Sequence, residues 1–188
     1  MAQLAVIFAS ACSTVNAPSA IPEISSTAPA STTADKKVRD LCEPLLNFFE
    51  NELNAANIRV DSVRDLNDTY GRSGTCQVVN NSPSDGVIQA VGFAFIREDA
   101  KESDPTGGRP GFEPVAGHEA PVWLLDSRTN RPGSGYVELA TRIGNWNGTL
   151  QINDGLVSTT DGPLRMTDFQ VDNAMGLIVR LTDDLRVE

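Results

Sequence analysis

Positive charge is what this chain is shortest of. Its 188 residues hold 15 Lys and Arg against 25 Asp and Glu, a formal net charge of −10, and no basic residue precedes Lys36. Nucleic acid and anionic lipid headgroups repel such a polyanion, which argues against electrostatic binding to either. No long block of like charge occurs, which leaves no charged interaction tail. Long hydrophobic runs are missing as well: nothing approaches the roughly 20 apolar residues that span a bilayer as a helix. Histidine occurs once, at His118, and aromatic residues make up 6% of the chain, enough with a 40% hydrophobic content for one modest core. The length fits a single ordinary domain once the first 36 residues are set aside.

Those first residues carry the clearest address. Leu4 to Ala11 is a short apolar run ending in small residues against Cys12. It resembles the lipobox of bacterial lipoproteins, in which the cysteine is lipidated and becomes the mature N-terminus. The run lies at the short end of signal-peptide cores and lacks a basic region before it. Residues 1–12 therefore read as a truncated signal segment, with the true start expected upstream; a frayed apolar N-terminus is the alternative. From Ser13 to Lys36, 17 of 24 residues are Ser, Thr, Ala or Pro. Such a stretch cannot bury enough apolar surface to offset its ordering entropy, so 13–36 is expected to be a tether. As a coil it would separate its ends by roughly 25–30 Å, enough to hold a domain clear of a membrane.

With Cys12 assigned to the lipid, Cys42 and Cys76 remain, an even number suited to an oxidising compartment. A disulfide between them is expected; two buried free thiols are the alternative. With both cysteines paired, one histidine cannot complete the usual structural zinc sets, and no metal or cofactor is expected.

Residues 37–188 read as one α+β domain, a mostly antiparallel sheet packed with an early helix and a C-terminal amphipathic helix. Val38, Leu41, Cys42, Leu45, Leu46, Phe48, Phe49 and Leu53 recur at helical steps. Asp35 is the candidate N-cap, and Pro44 suggests that the regular helix begins near Glu43. Strands are expected at Ile58–Asp61 and Cys76–Val79. Val87 to Ile96 is apolar on both faces, so it should be central, with a helix approaching over its small residues Gly92 and Ala94. Residues 99–120 break the pattern, and a loop of that length is functional or mobile. Further strands are expected at Val122–Leu125, Tyr136–Ile143 and around Leu150 and Ile152, with tight turns at Asn147-Gly148 and Asp154-Gly155. Thr167 and Gln170 fit a capping box. The helix it opens aligns Val171, Ala174, Met175, Ile178, Leu181 and Leu185.

Several segments together resemble a family of small actinobacterial lipoproteins that carry a domain without an assigned activity. They are the lipobox cysteine, the Ser/Thr/Pro tether, "DLCEPL" in the early helix, "TCQVV" at the second cysteine, "VAGHEAPVW", "RIGNWNGTLQI" and the terminal helix. Relatives often have an aromatic residue soon after the second cysteine, where Gln77 and Val78 stand here. The resemblance implies an extracytoplasmic, membrane-anchored location and this fold, and it supplies neither reaction nor ligand.

The search for chemistry yields little. Asp65 to Tyr70 starts like a calcium loop, but Tyr70 and Cys76 occupy the positions that need glycine and glutamate. Gly107-Gly108-Arg109-Pro110-Gly111 lacks the Lys-Ser/Thr of a phosphate loop, and Gly133-Ser134-Gly135 is no nucleophile elbow. His118 beside Glu119, with Glu98, Asp99, Glu102, Asp104 and Glu113 near in sequence, could form a carboxylate-assisted base or a weak cation site; a solvated loop is the plainer reading. Trp146, Phe112 and His118 are candidate contact residues, Trp146 because it is placed at a hairpin tip; the alternative is that it caps the core. The function expected is that of a lipid-anchored, non-enzymatic binding or interaction domain. Its partner would be an envelope protein or wall component. The alternatives are a carrier of an apolar ligand between sheet and helix, and an enzyme built on His118.

Overall fold

A computed structural model describes residues 35–81, 88–99, 101, 104–128 and 135–186. Cys12, the signal-like segment, nearly all of the tether, Val87 and Glu102 lie outside the described residues.

Seven strands form one antiparallel sheet. They are β1 (Ile58–Asp61), β2 (Ser73–Asn80), β3 (Ala90–Glu98), β4 (Glu113–Val115), β5 (Val122–Asp126), β6 (Val137–Ile143) and β7 (Trp146–Ile152). Their spatial order is β1-β2-β3-β7-β6-β5-β4, so two meanders meet where β7 lies against β3. A small ribbon of β8 (Ser158–Thr159) and β9 (Gly162–Pro163) precedes the last helix. Helices α1 (Arg39–Asn47) and α2 (Asp168–Leu185) cover one face, and the α+β architecture read from the sequence is the one observed.

The expected packing of a helix over small residues takes a specific form. A π-helical turn, Phe48–Glu52, continues α1 and buries the consecutive residues Phe48 and Phe49, whose rings meet edge to face. Phe49 is seated on Gly92 of β3, where an added β-carbon would lie 2.1 Å from the ring. Helix α2 settles on Gly148 of β7 in the same way, with Thr182 Oγ1 2.0 Å from the corresponding point. Gly148 had been expected in a tight turn with Asn147. Both residues instead lie inside β7, and the β6–β7 turn is made by Gly144, at φ +58°, and Asn145. The glycine at 148 serves close approach of a helix, which a local turn signal cannot reveal.

Helix α1 begins at Arg39, four residues before the expected start, and contains Pro44 in its interior. Its first turn is held by tertiary partners rather than by Asp35: Val38 and Arg39 N–H groups donate to the carbonyls of Asp68 and Leu66 at 3.0 and 2.9 Å. Asp40 accepts from the Lys37 N–H at 2.7 Å. At the other end of the chain, the capping box of Thr167 and Gln170 is present as expected, and every residue assigned to the apolar face of α2 is buried.

Cys42 of α1 and Cys76 of β2 are joined at disulfide distance, with Cα atoms 5.5 Å apart, as expected for an oxidised pair. Both are fully enclosed in the core. Tyr70 is enclosed with them and donates its hydroxyl to Ile96 O at 2.8 Å; burial raises its pKa. Among the described residues no helix is long and apolar enough to cross a membrane.

Candidate functional site

The π-helical turn, α2 and the loop after β4 leave a groove between them of about 360 Å³. Phe48 and Gly176 line it, together with Glu52, His118, Asp172, Asn173 and Arg180. Its size falls at the lower end for small-ligand sites. Two smaller depressions adjoin it, and Arg180 borders all three.

The capping end of α2 sets the geometry. Gln170 is held by the capping box and also donates through Nε2 to the carbonyl of Glu52 at 2.8 Å. One turn on, Asn173 Nδ2 donates to Glu52 Oε2 at 3.1 Å. The carboxylate of Glu52 is thereby oriented from α2. His118 reaches the same helix from the loop: its Nε2 lies 3.5 Å from Asp172 Oδ1, and its side chain is only 13% exposed. Arg180 makes no hydrogen bond or ion pair among the described residues.

Of the three candidate contact residues, His118 alone lines this groove. Trp146 is the first residue of β7, not the tip of the hairpin, and only 2% of it is exposed. That burial fits the alternative, a residue that caps the core: it sits on the helix-covered face of the sheet, and its indole Nε1 has no partner among the described residues. Phe112 is half-buried beneath the Arg109 guanidinium, 5.2 Å from its ring centroid. Arg109 in turn forks onto Glu138 of β6, with Nη1–Oε2 at 2.8 Å. Phe112 therefore belongs to a strap that residues 104–112 lay across the sheet face away from the helices.

Three of the carboxylates near His118 in sequence, Glu98, Asp99 and Asp104, have partners of their own. Glu98 pairs with Arg72, whose hydrogen bond holds its pKa below the ordinary value. Asp99 lies by Arg97, and Asp104 accepts from Thr106, which lowers its pKa. The partner of His118 is Asp172, 54 residues along the chain by subtraction. Among the described residues no group of three or more His, Cys, Asp or Glu side chains is placed to hold a metal ion. The groove offers a histidine–carboxylate pair, and among the described residues no hydroxyl or thiol side chain lines it.

Sequence reasoning missed Glu52, Asp172 and Arg180. One signal was available: Gly176 stands in the interior of the helix, where glycine is poorly suited. Compared with protein families, curated proteins and solved structures, the chain finds no match.

Proposed function

We propose that this protein is an extracytoplasmic lipoprotein, anchored to the cell membrane through a lipid on Cys12 and held off it by the 13–36 tether. Its α+β domain is a non-enzymatic binding module. Its site is the groove along α2, and its partner is an envelope protein or a wall component. The observation that carries the binding reading is the convergence of Glu52, His118, Asp172, Asn173 and an unpaired Arg180 on one concavity. The lipobox resemblance and the paired cysteines support the location.

A carrier of apolar cargo would need room between the sheet and the helices. There Phe49 is seated on Gly92 and Thr182 on Gly148, so the layer is closed and the carrier reading is not favoured. Replacing Cys12 with Ser tests the anchor. The variant should leave the membrane fraction for the soluble extracytoplasmic fraction with its domain folded; unchanged membrane association would refute the anchor. Replacing Arg180 with Glu tests the binding site: partner capture by the native envelope should fall with the fold intact, and undiminished capture would remove the groove from the account.

A further inference from the structure

The two edges of the large sheet are not alike. At one edge β4 has three residues and contains Pro114, two features that keep an edge from pairing further. At the other edge β1 has no proline and pairs along its whole length with β2. The Asn81 N–H donates to Asn57 O at 2.5 Å, and this sets the alternation along the strand. Arg59 and Asp61 turn their backbone groups toward β2, while Ile58 and Val60 turn theirs outward. Ala56, on the outward side of the same alternation, donates its N–H to Ser158 O at 2.8 Å. Past that point the outward groups of Ile58 and Val60 meet no backbone partner among the described residues. Arg59 Nη1 donates to Val60 O at 3.3 Å, a side-chain contact on an otherwise open edge.

The side chains decide what this edge can take. Val60 stands in one row with Val78 and Gly92, on the face that the helices cover, and both it and Ile58 are only partly buried against the core. Arg59 and Asp61 lie on the opposite face, 40% and 53% exposed. A second copy of β1, added antiparallel and centred on Val60, places Val60 opposite Val60 and Arg59 of each copy opposite Asp61 of the other. The central pair exchanges its two backbone hydrogen bonds through groups that already point outward. The two Arg59–Asp61 pairs are then the non-hydrogen-bonded ones, in which opposed side chains come closest, with β-carbons about 4.5–5.5 Å apart. One register thus satisfies the open backbone, covers the apolar rim at Val60 and matches charge twice. A two-fold axis makes the strand its own complement.

We propose that two copies of this chain pair through β1, antiparallel and centred on Val60, so that their seven-stranded sheets become one. The pairing uses neither the groove nor the anchor. The test is sedimentation equilibrium of the oxidised full chain carrying Cys12→Ser, which keeps a lipid or a free thiol at position 12 from joining copies. The parent should show a monomer–dimer equilibrium. Arg59→Asp places acid opposite acid, and Asp61→Arg places base opposite base, so each alone should self-associate about tenfold more weakly or less. An equal mixture of these two variants restores both opposite-charge pairs and should form a heterodimer about as tight as the parent dimer. The double variant Arg59→Asp/Asp61→Arg should likewise recover self-association. A parent that stays monomeric at every concentration would overturn the proposal. So would a dimer indifferent to the single substitutions, a mixture that fails to associate, or growth to species larger than a dimer, which a closed two-fold pairing forbids.

Discussion

Phe49 and Gly92 provide the sharpest test of how the helical layer is seated on the sheet. Phe49 is fully buried, and a β-carbon at position 92 would lie 2.1 Å from its ring, well inside contact distance. Gly92 is also flanked by β2 and β7 in mid-sheet, so the backbone has little freedom to retreat. Gly92→Ala should therefore act as overpacking and destabilise the domain by about 1–3 kcal/mol. Phe49→Ala should cost about 3–5 kcal/mol through the cavity it leaves. In the double variant the new methyl group enters the space vacated by the ring. The two effects should then fall short of additivity by more than about 0.5 kcal/mol and by up to about 3, the range seen for residues in direct contact. Urea unfolding of the four proteins in the oxidised state, followed by far-UV circular dichroism, measures each term. Additive losses within ~0.5 kcal/mol would refute the close approach, as would a Gly92→Ala variant as stable as the parent.

Other consequences follow from single contacts. Reducing the Cys42–Cys76 bridge releases a separation of 34 residues and should lower stability by about 3–4 kcal/mol, read as a drop in the urea midpoint on adding reductant; an unchanged midpoint would contradict a structural role. Arg109→Ala strands the nearly buried Glu138 carboxylate and should cost about 1–3 kcal/mol, most of it recovered when Glu138 is also replaced by Leu; additive losses in thermal melts would dispose of the strap. Asp126 accepts from Arg128 at 3.0 Å and 2.7 Å, and that hydrogen bonding holds its pKa below the ordinary carboxylate value. Its contribution is therefore complete above about pH 4, the unfolded value, and fades as the pH falls through the lower folded one. Asp126→Asn should be less stable than the parent at neutral pH, with the gap closing in strong acid; a constant gap from pH 7 to 2 would contradict the assignment.

The sequence made local features legible and concealed those built from distant segments. Thr167 and Gln170 announce the start of α2 within four residues, and the stripe from Val171 to Leu185 marks its buried face. Gly92 and Ala94 in an otherwise bulky strand advertise a helix overhead. Pro44 misled about α1 because that helix is started by loop carbonyls more than twenty residues away, at Leu66 and Asp68. Asn147-Gly148 misled because glycine signals a tight turn and a close approach equally well, and only α2, resting there with Thr182, decides between them. Trp146 lies on the inward side of β7 because the turn falls at Gly144-Asn145, three residues before Asn147-Gly148, which moves it from the tip to the core. The groove was the least legible part. Glu52, His118 and Asp172 come from three segments, and the tertiary fold alone brings them together. The order of the sheet, with β7 beside β3, is likewise a long-range choice that periodicity does not encode.

The central claim, an oxidised binding domain anchored by Cys12, is tested most directly by the intact mass of the protein extracted from its native membrane. The account predicts a chain that begins at Cys12, carries a diacylglyceryl-type addition there, and lacks the two hydrogens that a Cys42–Cys76 bridge removes. An unmodified chain that retains Met1 and both free thiols would contradict it, and the envelope location would fall with the anchor.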